Sequence, residues 1–161
     1  MILGFIGTGK ISSSIIFGIF KSKLKIKRIY ISSRNRNIAK KLSKSYGKIK
    51  VLNNNQEIID KSSVILLGVT PNVGNKILPK LKFKNKQVII SFISTINYTH
   101  LKKIIKKKLK IVRAIPMPPI RLGKGPVVIF PPDKKVKSFF NKIGTTIEIK
   151  VTNNDAKISG T

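Results

Sequence analysis

Gly4-Phe5-Ile6-Gly7-Thr8-Gly9-Lys10-Ile11-Ser12 joins an apolar strand to an amphipathic helix through two closely spaced glycines. Ile2 to Ile6 is a short apolar run that Gly7 ends. Beyond the glycines, Ile11, Ile15, Gly18 and Ile19 recur at helical spacing as far as about Phe20. The junction therefore has the form G-x-G-x-x-S. Gly7 permits a tight turn, and Gly9 lets a ligand's phosphates come close to the backbone. Ser12 is small enough to stand where a third glycine would allow close helix packing. The uncapped N–H groups of the first helical turn face an anion there, and Lys10 adds positive charge. In this strand-turn-helix context the pattern is a dinucleotide-binding fingerprint.

The strand-helix alternation continues outward from this junction. Arg28 to Ser32 reads as a second strand, Asn37 to Tyr46 as a helix ended by Gly47, and Ile49 to Leu52 as a third strand. Val64 to Val69 reads as a fourth, fully buried strand stopped by Pro71, followed by a helix over Val73 to Leu81 and a fifth strand over Gln87 to Ser91. A lysine-studded helix over Tyr98 to Lys108 and a sixth strand over Ile111 to Ile115 come next. The prolines at 116, 118 and 119 then break the alternation. After them come a strand from Pro126 to Phe130, a helix from about Asp133 to Ile143 closed by Gly144, and a last strand over Thr146 to Val151. Right-handed crossovers between such strands build a mostly parallel sheet covered on both faces, so the predicted class is doubly wound α/β.

The end of the second strand bears on cofactor choice. A site specific for NAD normally places an Asp or Glu about 20 residues beyond the glycines, where it accepts from the ribose 2′-hydroxyl. Here the chain reads Ser32-Ser33-Arg34-Asn35-Arg36, without an acid. Hydroxyls and guanidinium forks bind a phosphate in two-pronged fashion, which predicts NADPH with NADH as the weaker ligand.

Composition narrows the function classes. The 161 residues contain 34 Lys+Arg, 5 Asp+Glu, one His and no Cys, for a formal charge of +29. Disulfides, thiolate metal sites and a cysteine nucleophile are excluded, and His100 has no second histidine with which to share a metal, so no metal site is expected. The acids Glu57, Asp60, Asp133, Glu148 and Asp155 are scattered, which argues against a paired-carboxylate hydrolase. The positive field would attract nucleic acid, but the cations are diffuse. The densest group, Lys102, Lys103, Lys106, Lys107, Lys108 and Lys110, is expected to be the wet side of one helix, with no interleaved aromatic residues for base stacking. Specific nucleic-acid binding is therefore not expected. The apolar start is broken by Gly7, Gly9 and Lys10 and lacks a basic leader, so neither a membrane span nor a signal peptide is expected and the chain reads as cytoplasmic.

Six stretches taken together resemble the pyrroline-5-carboxylate reductase family: the opening GFIGTGKI, ISSRN, SSVILLGVTP, IISFIST, IVRAIP with its prolines, and the closing NNDAKISGT. They stand in the family's order over essentially the whole chain. The resemblance implies a Rossmann-type domain that holds NADPH or NADH for reduction of pyrroline-5-carboxylate, a small imine, to proline. It also implies a following all-helical dimerisation domain, hence a homodimer or higher homo-oligomer. On motif matching, Ile6, Gly7, Thr8, Gly9, Lys10 and Ile11 meet the pyrophosphate, Ser32, Ser33 and Arg34 the adenosine ribose and its phosphate, and Asn55 the adenosine edge. Gly68, Val69, Thr70 and Pro71, with Phe92, Ile93 and Ser94, form turns near the nicotinamide.

The chain departs from the family on the nicotinamide side. Thr70 stands where the family usually has Lys, Ile93 to Thr95 replace a small Ala-Ala-Gly stretch, and Met117-Pro118 replace the polar pair of an M-P-N-T-P turn. No proton donor follows from these residues. Residues 1–151 are expected to form the cofactor domain and 152–161 the start of a connection to a helical domain, leaving Ile115, Met117 and Ile120 exposed. Two other readings stay open here: a related NADP-dependent oxidoreductase with another small substrate, and a non-catalytic dinucleotide-binding or basic nucleic-acid-binding module.

Overall fold

The computed structural model describes residues 1–117 and 119–150. An eight-stranded sheet has the order β3-β2-β1-β4-β5-β6-β7-β8. Its strands are β1 (Ile2–Ile6), β2 (Arg28–Ser32), β3 (Ile49–Leu52), β4 (Val64–Leu67), β5 (Val88–Ser91), β6 (Lys110–Pro116), β7 (Pro126–Phe130) and β8 (Thr145–Glu148). All neighbouring pairs are parallel except β6 with β7, where the proline turn sends the chain back.

Alternation along the central strands sends side chains to both faces. Leu3 and Phe5 of β1, Leu66 of β4, Ile90 of β5 and Val112 of β6 pack in one buried cluster with Ile15, Ile16 and Ile19 of α1 (Lys10–Lys21). Leu42 of α2 (Arg36–Ser45) and Phe139 and Phe140 of a later helix, Lys134–Asn141, complete that layer. Ile65 and Leu67, Ile89 and Ile111 point the other way, onto Ile58 and Ile59 of α3 (Asn55–Lys61) and Leu101 and Ile105 of α5 (Tyr98–Ile105). A short α4 (Pro71–Ile77) lies between α3 and α5 in the chain, and Lys134–Asn141 is α6. Each fully buried Ile or Leu contributes about 1.5–3 kcal/mol, so this double-sided burial is the main source of stability.

The structure departs from the sequence expectations at several boundaries. Helix α3 was not expected. Its signal is Asn54, whose side chain accepts the Glu57 N–H at 3.2 Å in an N-x-x-E start. The fourth strand ends at Leu67, and the next helix starts at Pro71, with Thr70 as its cap, instead of at Val73. Helix α5 stops at Ile105 because Lys106 takes a left-handed conformation, φ 57°. The lysine cluster is therefore not one helical face. Lys102 and Lys103 lie on α5, Lys107 Nζ donates to the Phe83 carbonyl at 3.1 Å, and Lys110 belongs to β6. Ile120 is buried, not exposed: its carbonyl lies so close to α1 that a Cβ on Gly18 would sit 2.7 Å from it. Pro118, the end of the expected last strand at Val151 and the closing stretch NNDAKISGT lie outside the described residues.

Candidate functional site

In the strand order β3-β2-β1-β4, successive connections leave β1 in opposite directions, and such a switch point opens a crevice at the carboxyl ends of the strands. A cleft of about 590 Å³ occupies that position, the size range of small-molecule sites. It is lined by Gly7, Thr8 and Gly9 after β1, Arg34 to Asn37 after β2, and Gly68, Val69, Thr70 and Val73 after β4.

The glycine turn is shaped by its contacts. Gly7 has φ +98°, and a Cβ there would lie 2.5 Å from the Gly68 carbonyl oxygen, so no other residue fits without displacement. Gly68 N–H in turn donates to the Ile6 carbonyl at 2.8 Å, which closes the β1–β4 junction beneath the cleft. A Cβ on Gly9 would meet nothing within 4 Å. That freedom shows that Gly9 leaves room on the cleft side and is not forced by the protein's own packing. Gly9 is also the N-cap of α1 and supplies no side-chain hydrogen bond, so the first-turn N–H groups remain available to an anion.

Ser32 has a partner within the fold. It is buried, and its Oγ accepts the Gly7 N–H at 2.9 Å, so it shapes the glycine turn from behind. Arg34 and Arg36 are exposed on the cleft wall, while Asn35 caps α2 by accepting the Ile38 N–H at 3.4 Å. Thr70, in place of the family's Lys, accepts the Val73 N–H at 3.5 Å as the cap of α4.

Of the other residues singled out in the sequence, Ile6 is core, and Lys10 and Ile11 line a separate, largely apolar hollow of about 330 Å³ with Met117, Ile120 and Leu122. Ser33 and Pro71 flank the cleft in the chain without lining it, and Asn55 lies in the first turn of α3. Phe92 and Ile93 are buried and only Ser94 and Thr95 of that turn are exposed. Asn37 and Val73 of the cleft and Arg113 of β6 carry no motif that marks them as site residues. Arg113 was detectable as a charge inside the apolar run of β6. Among the described residues, no group of three or more His, Cys, Asp or Glu is placed to hold a metal ion.

Residues 2–97, more than half the chain, match the model of the family described as NADP oxidoreductase coenzyme F420-dependent. The chain belongs to this family. The chain is similar to pyrroline-5-carboxylate reductase of Synechocystis sp., 28% identical over 156 residues, which cover 91% of this chain and 58% of the relative. The Aquifex aeolicus pyrroline-5-carboxylate reductase is 28% identical over 133 residues, covering 80% of this chain and 47% of that protein. The chain thus spans about half to three fifths of the curated relatives it matches. The fold of this NADP oxidoreductase family member is also that of solved structures. The Streptococcus pyogenes 1-pyrroline-5-carboxylate reductase superposes with a TM-score of 0.79 at 24% identity, covering 93% of this chain and 58% of that one. The Plasmodium falciparum pyrroline carboxylate reductase, solved with NADP bound, gives 0.76 at 23% identity and covers 92% and 57%.

Proposed function

We propose that this chain is the cofactor-binding part of a reductase that uses NADPH to convert 1-pyrroline-5-carboxylate into proline, working in the cytoplasm as a homo-oligomer. The observation that carries the cofactor half is the pair Arg34 and Arg36 on the cleft wall beyond β2, where a carboxylate would select against a 2′-phosphate. The substrate half is supported by the similarity to named pyrroline-5-carboxylate reductases across most of the chain.

Bound NADPH would supply a hydride to the imine carbon, and the imine nitrogen would take its proton from water. The chain's own residues bind and orient. The glycine turn and the first turn of α1 would receive the pyrophosphate, Arg34 and Arg36 the 2′-phosphate, and the turn at Ser94 and Thr95 the reactive end. Neutralising that phosphate with charged hydrogen bonds at about 1.5–3 kcal/mol each favours NADPH over NADH about tenfold or more.

Fluorescence titration of both cofactors tests this reading. NADPH is expected to bind more tightly, and Arg34→Ala should reduce its advantage while leaving NADH nearly unchanged. Equal affinities in the unaltered protein would overturn the reading. For the whole enzyme, oxidation of NADPH that depends on pyrroline-5-carboxylate checks the substrate, and oxidation driven only by other imines or by ketones would reassign it.

A further inference from the structure

Arg113 is buried within β6, paired in register with Ser91 of β5 on one side and Phe130 of β7 on the other. Its Nη2 donates to the carbonyl oxygens of Ile93 at 3.3 Å and Ser94 at 2.8 Å, and its guanidinium carbon lies 5.3 Å from the centre of the Phe130 ring. Both acceptors belong to the loop leaving the carboxyl end of β5, on the edge of the sheet where the cleft opens. Hydrogen bonds from an ionised donor are among the stronger ones in a protein. A buried guanidinium therefore grips two successive peptide groups of this loop.

That grip dictates where the other ends of those peptides point. In a trans peptide the C=O and N–H groups are directed oppositely. With the carbonyls of Ile93 and Ser94 turned inward to Arg113, the N–H groups of Ser94 and Thr95 are turned away from it. Neither of these N–H groups donates to a protein acceptor among the described residues, whereas the preceding Ile93 N–H is used internally, by Ser91 Oγ at 3.2 Å. The Ile93 side chain anchors the loop in the core, and Ser94 and Thr95 are exposed. The result is two adjacent donors, fixed from below by a charge and open above.

We propose that Arg113 is a positioning residue that presents the Ser94 and Thr95 N–H groups as a paired donor site for the carboxamide oxygen on the nicotinamide half of the cofactor. This rests on the cofactor reading above. It assigns the specificity of the reactive end to backbone, which explains how Ile93-Ser94-Thr95 can carry side chains unlike the family's small ones: the donors belong to the peptide groups. Arg113 touches neither cofactor nor substrate in this scheme and acts through the loop.

The test compares NADPH with adenosine 2′,5′-bisphosphate, which has the 2′-phosphate but no nicotinamide. Arg113→Met should weaken NADPH about tenfold, the size of one charge-assisted hydrogen bond. The bisphosphate should change by less than about twofold, as for a site remote from the substitution. Arg113→Lys, which keeps the charge with fewer donors, should show the same split in smaller size, and it carries the test if Arg113→Met does not fold. Equal weakening of both ligands would make Arg113 a general stabiliser, and unchanged NADPH binding would leave the loop without a role; either result overturns the proposal. Failure of the unaltered chain to bind either ligand overturns the cofactor reading itself, and is distinguishable because no substitution is involved.

Discussion

The Ser32 hydroxyl, at the carboxyl end of β2, accepts the Gly7 backbone N–H at 2.9 Å and so ties the second strand to the glycine turn that follows the first. Removing it leaves a buried donor unpaired, which costs about 1–3 kcal/mol. Ser32→Ala is therefore expected to lower Tm by several degrees and to weaken NADPH and NADH alike. This separates it from Arg34→Ala, which should affect NADPH alone. Calorimetry with titration of both cofactors checks it, and a selective loss of NADPH in Ser32→Ala would return the hydroxyl to the 2′-phosphate.

The two glycines of the turn should respond oppositely. Gly7→Ala meets both a positive φ and the Gly68 carbonyl, and is expected to cost at least about 2 kcal/mol in stability. Gly9→Val meets no protein atom near its Cβ, so its Tm should stay within a few degrees while both cofactors bind at least about tenfold more weakly, the expected result of filling the pyrophosphate's approach. Thermal melts and cofactor titrations of the two variants, side by side, decide it. Normal binding by Gly9→Val would make the fingerprint a turn and nothing more.

Ser12 and Gly68 are matched in size across the α1–β4 contact. A Cβ on Gly68 would lie 2.4 Å from Ser12 Oγ, and that buried hydroxyl has no hydrogen-bond partner among the described residues. Ser12→Ala should therefore be nearly neutral or slightly stabilising, and Gly68→Ala destabilising. The double variant should recover much of the loss, with a coupling of about 0.5–3 kcal/mol, as contacting sites show. Additive losses in urea melts would show that the constraint on Gly68 comes from elsewhere.

Asp133 sets one acid-dependent contribution. Burial acts to raise its pKa, but the Val136 N–H that it accepts at 2.9 Å and the Lys110 ammonium at 2.9 Å outweigh that, and the carboxyl is held below its ordinary value. A lowered folded-state pKa adds stability that is present above the unfolded value, near 3.9, and is lost as pH falls through the folded value. Asp133→Asn should thus be less stable than the unaltered protein at neutral pH, with the gap closing below about pH 4. A gap of constant size down to pH 2 would contradict the assignment.

The wall of the cleft was legible because its signals are local. Gly7 and Gly9 are specified by one turn and Arg34 by a charge just past the second strand, and all three line the cleft. Helix α3 is hard to see in the sequence because Asn54 and Glu57, its start signal, stand in a polar stretch whose only apolar pair, Ile58 and Ile59, is too short to show a period. The extent of α5 is masked for the opposite reason. Its amphipathic pattern runs on through Leu109, and the pattern carries no mark of the left-handed Lys106 that ends the helix.

Local order in the chain thus determined the α/β class, the glycine turn and the absence of an acid after β2, since periodicity, backbone permissiveness and charge are properties of short segments. What Ser32, Ser12 and Arg113 do was decided in three dimensions. Ser32 reaches a turn 25 residues away, and Arg113 reaches carbonyls 19 and 20 residues back along the chain. Such partners meet only once the strands are laid side by side in register, because a hydrogen bond depends on distance and angle between groups whose approach no single stretch of sequence encodes.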